Sequence, residues 1–144
     1  MPRSHRADWP TVWLGVAQAV ASRSSCTRDQ VGAVLVVANH WTFVGYNGPK
    51  PGETNCDAGG CPRGLLTAEQ LPHGARFDGA GICSAVHAEV NAMLKFQHSY
   101  WTMDKSIFKM VLEECVLYTT REPCERCWVD IRKWLKPEQV VWSK

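Results

Sequence analysis

A chain of 144 residues is long enough for one domain with a substantial core and too short for two. Its composition, 45% hydrophobic and 21% charged, is that of an ordinary globular protein, and the net charge of +2 argues neither for nor against a nucleic-acid partner. No apolar run approaches the length of a membrane span, and no apolar signal-peptide core follows the basic N-terminus. We therefore expect a single cytoplasmic domain over residues 1–144 without membrane association.

The first part of the chain predicts one helix followed by two strands. Asp8 is a suitable N-cap with Pro10 in the first turn, and apolar residues then recur at helical spacing until about residue 22. Residues 31–38 are nearly all apolar and rich in β-branched side chains, which is typical of a strand covered on both faces. A turn at Asn39 leads into a second strand over residues 41–45.

Residues 48–83 form an insertion that is rich in glycine, proline and cysteine and has no periodic apolar pattern. A loop of this length in a compact domain is usually functional or held by a cross-link. The odd total of seven cysteines, without a secretion signal, favours reduced, metal-binding thiols over a disulfide framework. We therefore expect a metal to hold this loop. The metal-binding side chains in and beside it are Cys56, Cys61, His73 and Cys83.

The next part of the chain predicts a helix over residues 84–98 and then a central strand. The stripe expected to pack on the sheet comprises Val86, Val90, Met93, Leu94 and Gln97. Residues 101–110 have no clear pattern and are assigned to connecting chain. The strand lies within residues 111–119, and its start is left open because Glu113 and Glu114 interrupt the apolar run.

A last helix and a short strand complete the chain. The helix is expected to begin at Pro123 and to end before Pro137, and residues 139–142 form the final strand. Its apolar face comprises Cys124, Cys127, Trp128, Ile131, Trp134 and Leu135. The order α-β-β-α-β-α-β predicts an α/β fold, a three-layer α/β/α sandwich with helices on both faces of a mixed central sheet.

Two short motifs carry the chemistry, H-A-E at residues 87–89 and P-C-E-R-C at residues 123–127. His87, Cys124 and Cys127 are the usual ligand set for zinc with one coordination position open. Two cysteines three apart project from one face of a helical turn, and the helix dipole there favours the thiolate that binds zinc. Because His87 also opens a helix, two helix starts can converge on one ion. H-x-E followed by P-C-x-x-C is the signature of zinc-dependent nucleobase deaminases.

Each motif alone has a simpler interpretation. A C-x-x-C pair is also typical of a redox site or half of a structural zinc site, and a single His-x-Glu is more often a solvated helix start. Occurring together, each at the start of a helix, the motifs favour one zinc site. Cys115 lies in an apolar run, where a free cysteine is expected to be a small buried hydrophobic side chain.

The ligand set predicts hydrolysis. Zinc with three protein ligands lowers the pKa of a water molecule in the fourth position and supplies hydroxide at neutral pH. Glu89 is placed to take the water proton, to protonate the ring nitrogen beside the attacked carbon, and to hand a proton to the leaving ammonia. The alternative from another class is a non-catalytic zinc module, which has no use for the carboxylate of Glu89.

Three separated segments resemble the deoxycytidylate (dCMP) deaminases of the zinc-dependent cytidine deaminase superfamily: C-T-R-D-Q-V-G-A at 26–33, G-Y-N-G at 45–48 and H-A-E-V-N-A at 87–92. The resemblance implies a cytidine-deaminase-like sandwich that converts dCMP to dUMP and ammonia, with hydroxide attack at C4 and Glu89 as proton shuttle. It also implies a homo-oligomer and, in regulated members, a deoxycytidine triphosphate (dCTP) effector at the G-Y-N-G segment. By composition alone that segment is typical of a plain turn.

The same resemblance implies substrate contacts. Asn47 would lie on the loop that faces the substrate sugar, and Ala88 lies between the zinc histidine and the proton shuttle. A nucleotide phosphate needs cations or helix N-terminal amides. The candidate cations are Arg121, Lys50, Lys95 and His98. Each is also typical of a solvated surface charge.

Two departures from the dCMP deaminase pattern mean that other substrate classes are also considered. Glu122 creates an E-P-C sequence that is similar to tRNA-adenosine deaminases, and residues 95–98 lack the expected phosphate-binding pattern. The alternatives are a tRNA or single-stranded DNA nucleobase deaminase, or a deaminase of another free nucleoside or nucleotide. A polynucleotide enzyme needs a basic groove with aromatic surfaces, which the near-neutral charge does not favour.

A second zinc ion is also expected. Cys26 lies where some members of the dCMP deaminase family, which this chain resembles, place a structural zinc ligand. Cys56, Cys61 and Cys83 would complete a closed four-cysteine site, with His73 as the alternative fourth ligand. Each cysteine taken singly is more often merely buried. The expected content is thus two zinc ions per chain, one catalytic and one structural.

Overall fold

The computed structural model describes residues 5–26, 29–49, 52–55, 58, 66–67, 69–70 and 86–144. In chain order its elements are α1 (Trp9–Ala21), β1 (Gly32–Val37), β2 (Trp41–Tyr46), α2 (Ala88–Tyr100), α3 (Lys105–Glu113), β3 (Cys115–Thr119), α4 (Glu125–Ile131), a 3-10 turn (Pro137–Gln139) and β4 (Val140–Trp142). The predicted ligands and the lysine of the insertion lie outside the described residues. They are Lys50, Cys56, Cys61, His73 and Cys83. Within the described ranges, no helix combines the length and apolarity needed to cross a membrane.

The predicted mixed sheet is confirmed. Its four strands lie in the order β2-β1-β3-β4, with β1 antiparallel to both neighbours and β3 parallel to β4. All six residues of β1 are buried, as its β-branched run predicts. The three-residue connection between β1 and β2 contains Ala38 and Asn39 at φ values of 52° and 54°, and this left-handed pair closes a turn in which the backbone N–H of His40 donates to the carbonyl of Val37 at 3.0 Å.

Helices cover both faces of the sheet, which confirms the three-layer sandwich. Side chains alternate along β1, so that Val34 and Val36 face α1 while Leu35 faces α2 and α4. Asp8 caps α1 as predicted, and its Oδ1 accepts a hydrogen bond of 2.9 Å from the backbone N–H of Thr11. The catalytic motifs begin α2 and α4, which therefore share one face of the sheet.

The assignment of residues 101–110 to connecting chain was wrong, because α3 occupies most of them. Asp104 caps this helix by accepting a 2.9 Å hydrogen bond from the backbone N–H of Ser106. Phe108, Val111 and Leu112 follow at helical spacing and pack against the core on the α2 side. The two glutamates end α3 instead of interrupting a strand, and β3 begins at Cys115, the later of the two starts left open.

The predicted packing stripe of α2 was partly wrong. Met93 is buried, but Leu94 and Gln97 of that stripe are exposed. The buried face instead comprises Ala88, Glu89, Ala92, Met93 and Phe96. Two alanines on this face allow the helix backbone to approach β2 closely, and that tertiary contact determines the rotation of the helix. The last helix also proved shorter than predicted, because α4 ends at Ile131.

Candidate active site

His87 and Glu89 are positioned by the start of α2. His87 is the N-cap residue, with extended backbone dihedrals of −69° and 151°, and its side chain makes no capping hydrogen bond. Its imidazole is therefore available to an external partner. Glu89 lies in the first turn and is 3% exposed. A carboxylate is favoured there because the N-terminal end of a helix carries a partial positive charge.

Cys124 and Cys127 are positioned in the same way by α4. Cys124 is the N-cap, and its Sγ accepts a hydrogen bond of 3.4 Å from the backbone N–H of Cys127. Cys127 lies in the first turn and is buried, whereas Cys124 is exposed. Pro123 therefore precedes α4. The prediction that the helix begins at Pro123 was wrong.

The two helix starts bring the predicted zinc ligands together. Nδ1 of His87 lies 3.0 Å from Sγ of Cys127 and 3.6 Å from Sγ of Cys124, and the three donor atoms all lie within 4.8 Å of one another. Zinc bound tetrahedrally at ordinary Zn–N and Zn–S lengths separates such N and S atoms by about 3.6 Å. The spacing of the donors therefore fits one zinc ion.

The electrostatics of Cys127 also fit a cation at this position. Its burial, and after that the charge of Glu89 and the proximity of Cys124, raise the pKa of the Cys127 thiol far above its ordinary value. Two sulfur donors and a carboxylate in one partly buried cluster are an unfavourable arrangement unless a positive charge compensates them. A divalent metal would supply that charge and would allow both cysteines to bind as thiolates.

Glu89 extends the cluster inward. Its Oε2 lies 3.6 Å from Sγ of Cys127, and its Oε1 accepts a long contact of 3.4 Å from the hydroxyl of Thr119. Thr119 is completely buried at the end of β3. The sequence analysis missed this threonine. The available signal was its alternation with Cys115 and Leu117 on the core side of the strand that leads into the P-C-x-x-C motif.

Asn47 uses its side-chain amide to organise the start of β1. Its Oδ1 accepts a 2.8 Å hydrogen bond from the backbone N–H of Val31, and its Nδ2 donates to the carbonyl of Asp29 at 2.7 Å. Ala88 is completely buried in the core cluster. The predicted contacts of Asn47 and Ala88 with a substrate stay predictions.

Of the candidate phosphate ligands in the described part of the chain, only Arg121 lies beside the zinc ligands. It lines an open cleft together with Cys124, Trp128 and Asp29, and its guanidinium forms an ion pair with the Asp29 carboxylate. Sequence analysis missed Asp29 because nothing in the chain indicates a pairing across 92 positions.

Lys95 and His98 lie further along α2. With about 1.5 Å of rise per residue, they are about 12 and 16 Å along the helix axis from His87. The ammonium group of Lys95 donates a hydrogen bond of 2.7 Å to the carbonyl of Val44, and His98 is exposed. The structure therefore separates both side chains from the metal-binding cluster.

Residues 7–144 match the family model described as the cytidine and deoxycytidylate deaminase zinc-binding region. The chain belongs to this deaminase family. It is 41% identical over 123 residues to the deoxycytidylate deaminase of Mycobacterium phage D29, which covers 85% of this chain and 84% of the phage protein. It is 34% identical over 141 residues to the deoxycytidylate deaminase of Schizosaccharomyces pombe, with coverage of 98% of this chain and 38% of the yeast protein.

Solved structures agree on the fold of the deaminase. The dCMP deaminase of cyanophage S-TIM5 in complex with dCMP and dUMP superposes with a TM-score of 0.62 at 24% identity, covering 96% of this chain and 83% of the phage chain. Its apo form gives a TM-score of 0.61 at the same 24% identity, with 95% and 83% coverage. The predicted cytidine-deaminase-like sandwich is thus confirmed. The family's zinc-binding character and the His-Cys-Cys cluster together make this deaminase a zinc protein.

Proposed function

We propose that this deaminase hydrolyses dCMP to dUMP and ammonia. The observation that carries the proposal is the convergence of His87, Cys124 and Cys127, whose donor atoms lie within 4.8 Å of one another, with Glu89 buried against them. The choice of dCMP as substrate is supported by the sequence similarity to the phage and yeast deoxycytidylate deaminases described above. One water is consumed, a C4–O bond forms, and the C4–N bond of the exocyclic amine breaks.

Glu89 performs the proton transfers in this proposal. His87, Cys124 and Cys127 would hold the zinc ion, which would supply the Lewis acidity that makes water nucleophilic at neutral pH. Glu89 removes a proton from the attacking water, delivers it to N3 of the cytosine ring, and afterwards transfers a proton to the departing amino group. Its burial limits exchange of these protons with bulk water, and the hydroxyl of Thr119 restrains one carboxylate oxygen.

Arg121 is the proposed contact for the substrate phosphate. Its side chain is 49% exposed in the cleft beside Cys124, so a ligand can reach it. A guanidinium carries five N–H donors, and the ion pair with Asp29 leaves several of them for phosphate oxygens. A charge-assisted contact of this kind contributes about 1.5–3 kcal/mol, which corresponds to at least about a tenfold preference for dCMP over deoxycytidine.

The test is ammonia release from dCMP, deoxycytidine, dCTP and a cytosine-containing single-stranded oligonucleotide, measured side by side. We expect dCMP to have the highest kcat/KM, and Arg121→Ala to narrow its advantage over deoxycytidine. Lys133→Ala is the matched control, because Lys133 is also a cation in an exposed ion pair, 3.0 Å from Asp130, but lies just after the end of α4. Equal rates on nucleoside and nucleotide would identify a nucleoside deaminase, and activity on the oligonucleotide alone would identify a polynucleotide deaminase.

We also propose a structural zinc ion held by Cys26, Cys56, Cys61 and Cys83, with His73 as the alternative fourth ligand. The support is the concentration of these side chains in and around one insertion and the half-buried position of Cys26, whose Sγ lies 3.5 Å from the backbone N of Asp29. Elemental analysis of unchelated protein should give two zinc ions per chain. One per chain in wild type, unchanged by replacing Cys61, would refute the second site.

Two further proposals concern regulation and assembly. A dCTP effector is supported by the G-Y-N-G segment, and addition of dCTP to the dCMP assay should change KM; identical kinetics would refute it. A homo-oligomer is supported by large apolar side chains exposed on α2 and α3. These are Leu94 on α2, Trp101 at the C-cap of α2, and Ile107 and Met110 on α3. Light scattering should give a mass above 16.1 kDa, and a strictly monomeric mass at all concentrations would refute assembly.

A further inference from the structure

The end of β2 and the first turn of α2 approach each other too closely for any side chain to lie between them. A Cβ atom built on Gly45 would lie 2.4 Å from the carbonyl oxygen of Ala88 and 2.5 Å from the backbone N of Ala92. Both conflicting atoms belong to the helix backbone, so no side-chain rotation can relieve the conflict. Gly45 and Tyr46 are therefore the last residues of a strand, and not the plain turn that their composition suggests.

Hydrogen bonds hold the same two elements together on both sides of His87. Nδ2 of Asn91 donates to the carbonyl of Tyr46 at 2.8 Å and makes a longer contact of 3.4 Å with the carbonyl of Val86. Val86 and Gly48 form an isolated β-bridge with N–O distances of 2.8 and 3.1 Å. The residue before His87 is therefore bonded to Gly48, just after β2. Asn91, one helical turn after His87, is bonded to Tyr46 at the end of β2.

We propose that Gly45 and Asn91 are positioning residues of the deaminase, which set the place of α2 on β2 and thereby hold His87 and Glu89 opposite the cysteines of α4. Neither residue touches the reacting atoms. Moving the Ala88 carbonyl from 2.4 Å to an ordinary contact distance requires α2 to shift by about 1 Å. Functional constellations tolerate only about 0.5 Å, and a misplacement of about 1 Å can lower activity about a hundredfold.

The opposite face of the sheet contains a matched control. A Cβ on Gly32 would lie 2.0 Å from the carbonyl oxygen of Ala17 and 2.5 Å from the backbone N of Ala21, which both belong to α1. Gly32→Ala therefore creates the same kind of backbone conflict in a helix that supplies none of the zinc ligands. Both glycine substitutions should destabilise the fold, but only Gly45→Ala should disturb the metal site.

The first experiment compares Gly45→Ala with Gly32→Ala at a temperature where circular dichroism shows both to be folded. Zinc retention is measured against increasing chelator, and kcat and KM are measured with dCMP in the absence of dCTP. We expect Gly45→Ala to release zinc at lower chelator concentrations and to lose about a hundredfold in kcat. Gly32→Ala should retain zinc like the wild type and stay within about twofold in kcat. Equal zinc retention in the two variants would overturn the proposal.

The second experiment uses variants without a steric conflict, and it decides the question if the glycine variants do not fold. Asn91→Ala removes a side-chain amide that bridges two carbonyls beside the site. Gln139→Ala removes a comparable amide far from the site: its Nε2 donates to the carbonyls of Leu112 and Cys115 at 2.8 and 2.9 Å, and its Oε1 accepts from the backbone N–H of Lys136 at 2.9 Å.

We expect both amide variants to melt at lower temperature, and only Asn91→Ala to lose zinc more readily and to lower kcat, by about tenfold. The same zinc retention for Asn91→Ala and Gln139→Ala would refute the proposal. The kinetic readout rests on the proposed dCMP chemistry, whereas zinc retention does not. If dCMP is not the substrate, the comparison of zinc retention between the variants still tests the positioning role. An error in the proposed function can therefore be distinguished from an error in the positioning proposal.

Discussion

The two faces of the central sheet are built alike and used differently. Each is covered by a helix that approaches a glycine in the sheet, Gly32 under α1 and Gly45 under α2. The α1 face is an apolar cluster, whereas the α2 face buries Glu89 and Thr119 beside Cys127. A buried carboxylate destabilises a core unless it is partnered. A metal ion at the His-Cys-Cys cluster would be such a partner, so we expect the stability of the second face to depend on metal binding.

The largest effect is expected from replacing Cys127, one of the two cysteines that are buried on the α2 face in the described part of the chain. Cys127→Ser should abolish zinc binding at the His-Cys-Cys site and reduce deamination to background, because the site loses a thiolate ligand. Cys115→Ser is the control, since Cys115 is as deeply buried but its Sγ contacts only the carbonyl of Val111 among the hydrogen-bond partners described, at 3.3 Å. Zinc content per chain and ammonia release measure both. Active, zinc-loaded Cys127→Ser would contradict the assignment.

The second prediction separates the carboxylate from the metal. Glu89→Gln should keep zinc and lose about 10²–10⁴-fold in kcat, because an amide cannot carry the proton. Glu113→Gln, at the exposed end of α3, is the control and should have wild-type kinetics. Near wild-type turnover of Glu89→Gln would rule out its role as proton shuttle.

A third prediction tests the α1 face, where a substitution should change the stability of the fold and not the metal site. Val34 is completely buried against α1, and Val34→Ala should lower the free energy of unfolding by about 2 kcal/mol through lost burial and a residual cavity. Zinc content and kcat should be unchanged at temperatures where the variant is folded. Chemical denaturation and the dCMP assay measure the two effects. A variant that folds normally but loses zinc would show that the faces are not independent.

The smallest effect concerns the ionisation of Cys115. Burial, and after that the charge of Glu114, raise the pKa of its thiol from 9.0 to about 12. Below pH 9 the thiol is protonated in both the folded and unfolded states, and its contribution to stability is complete. As the pH rises from 9 towards 12, the unfolded state loses the proton first, so this contribution is progressively lost.

Urea denaturation of the wild type and Cys115→Ala between pH 8 and 11 measures this dependence. The stability of the wild type should decline more steeply above pH 9 than that of the alanine variant, because only the wild type has this thiol. Parallel pH profiles would mean that Cys115 ionises equally in both states. At neutral pH the two proteins should differ only by a constant packing contribution.

Local patterns in the chain were sufficient to predict the His-Cys-Cys cluster, the carboxylate beside it and the order of most elements. The spacings H-x-E and P-C-x-x-C are local, and a residue at a helix start keeps its orientation wherever that helix packs. The β-branched run of β1 likewise indicated a fully buried strand, because burial on both faces leaves no polar positions. These features depend on neighbours along the chain, which a sequence displays directly.

How these elements meet depends on contacts between residues that are far apart in the chain. The rotation of α2, which exposes Leu94 and buries Ala92, follows from the close approach of its backbone to Gly45. The hydroxyl of Thr119 near Glu89 and the ion pair of Arg121 with Asp29 join residues 30 and 92 positions apart. No local pattern contains such pairings, because they arise from the packing of whole helices on a sheet, and a Cβ added at Gly45 would conflict with the backbone of α2 and displace it.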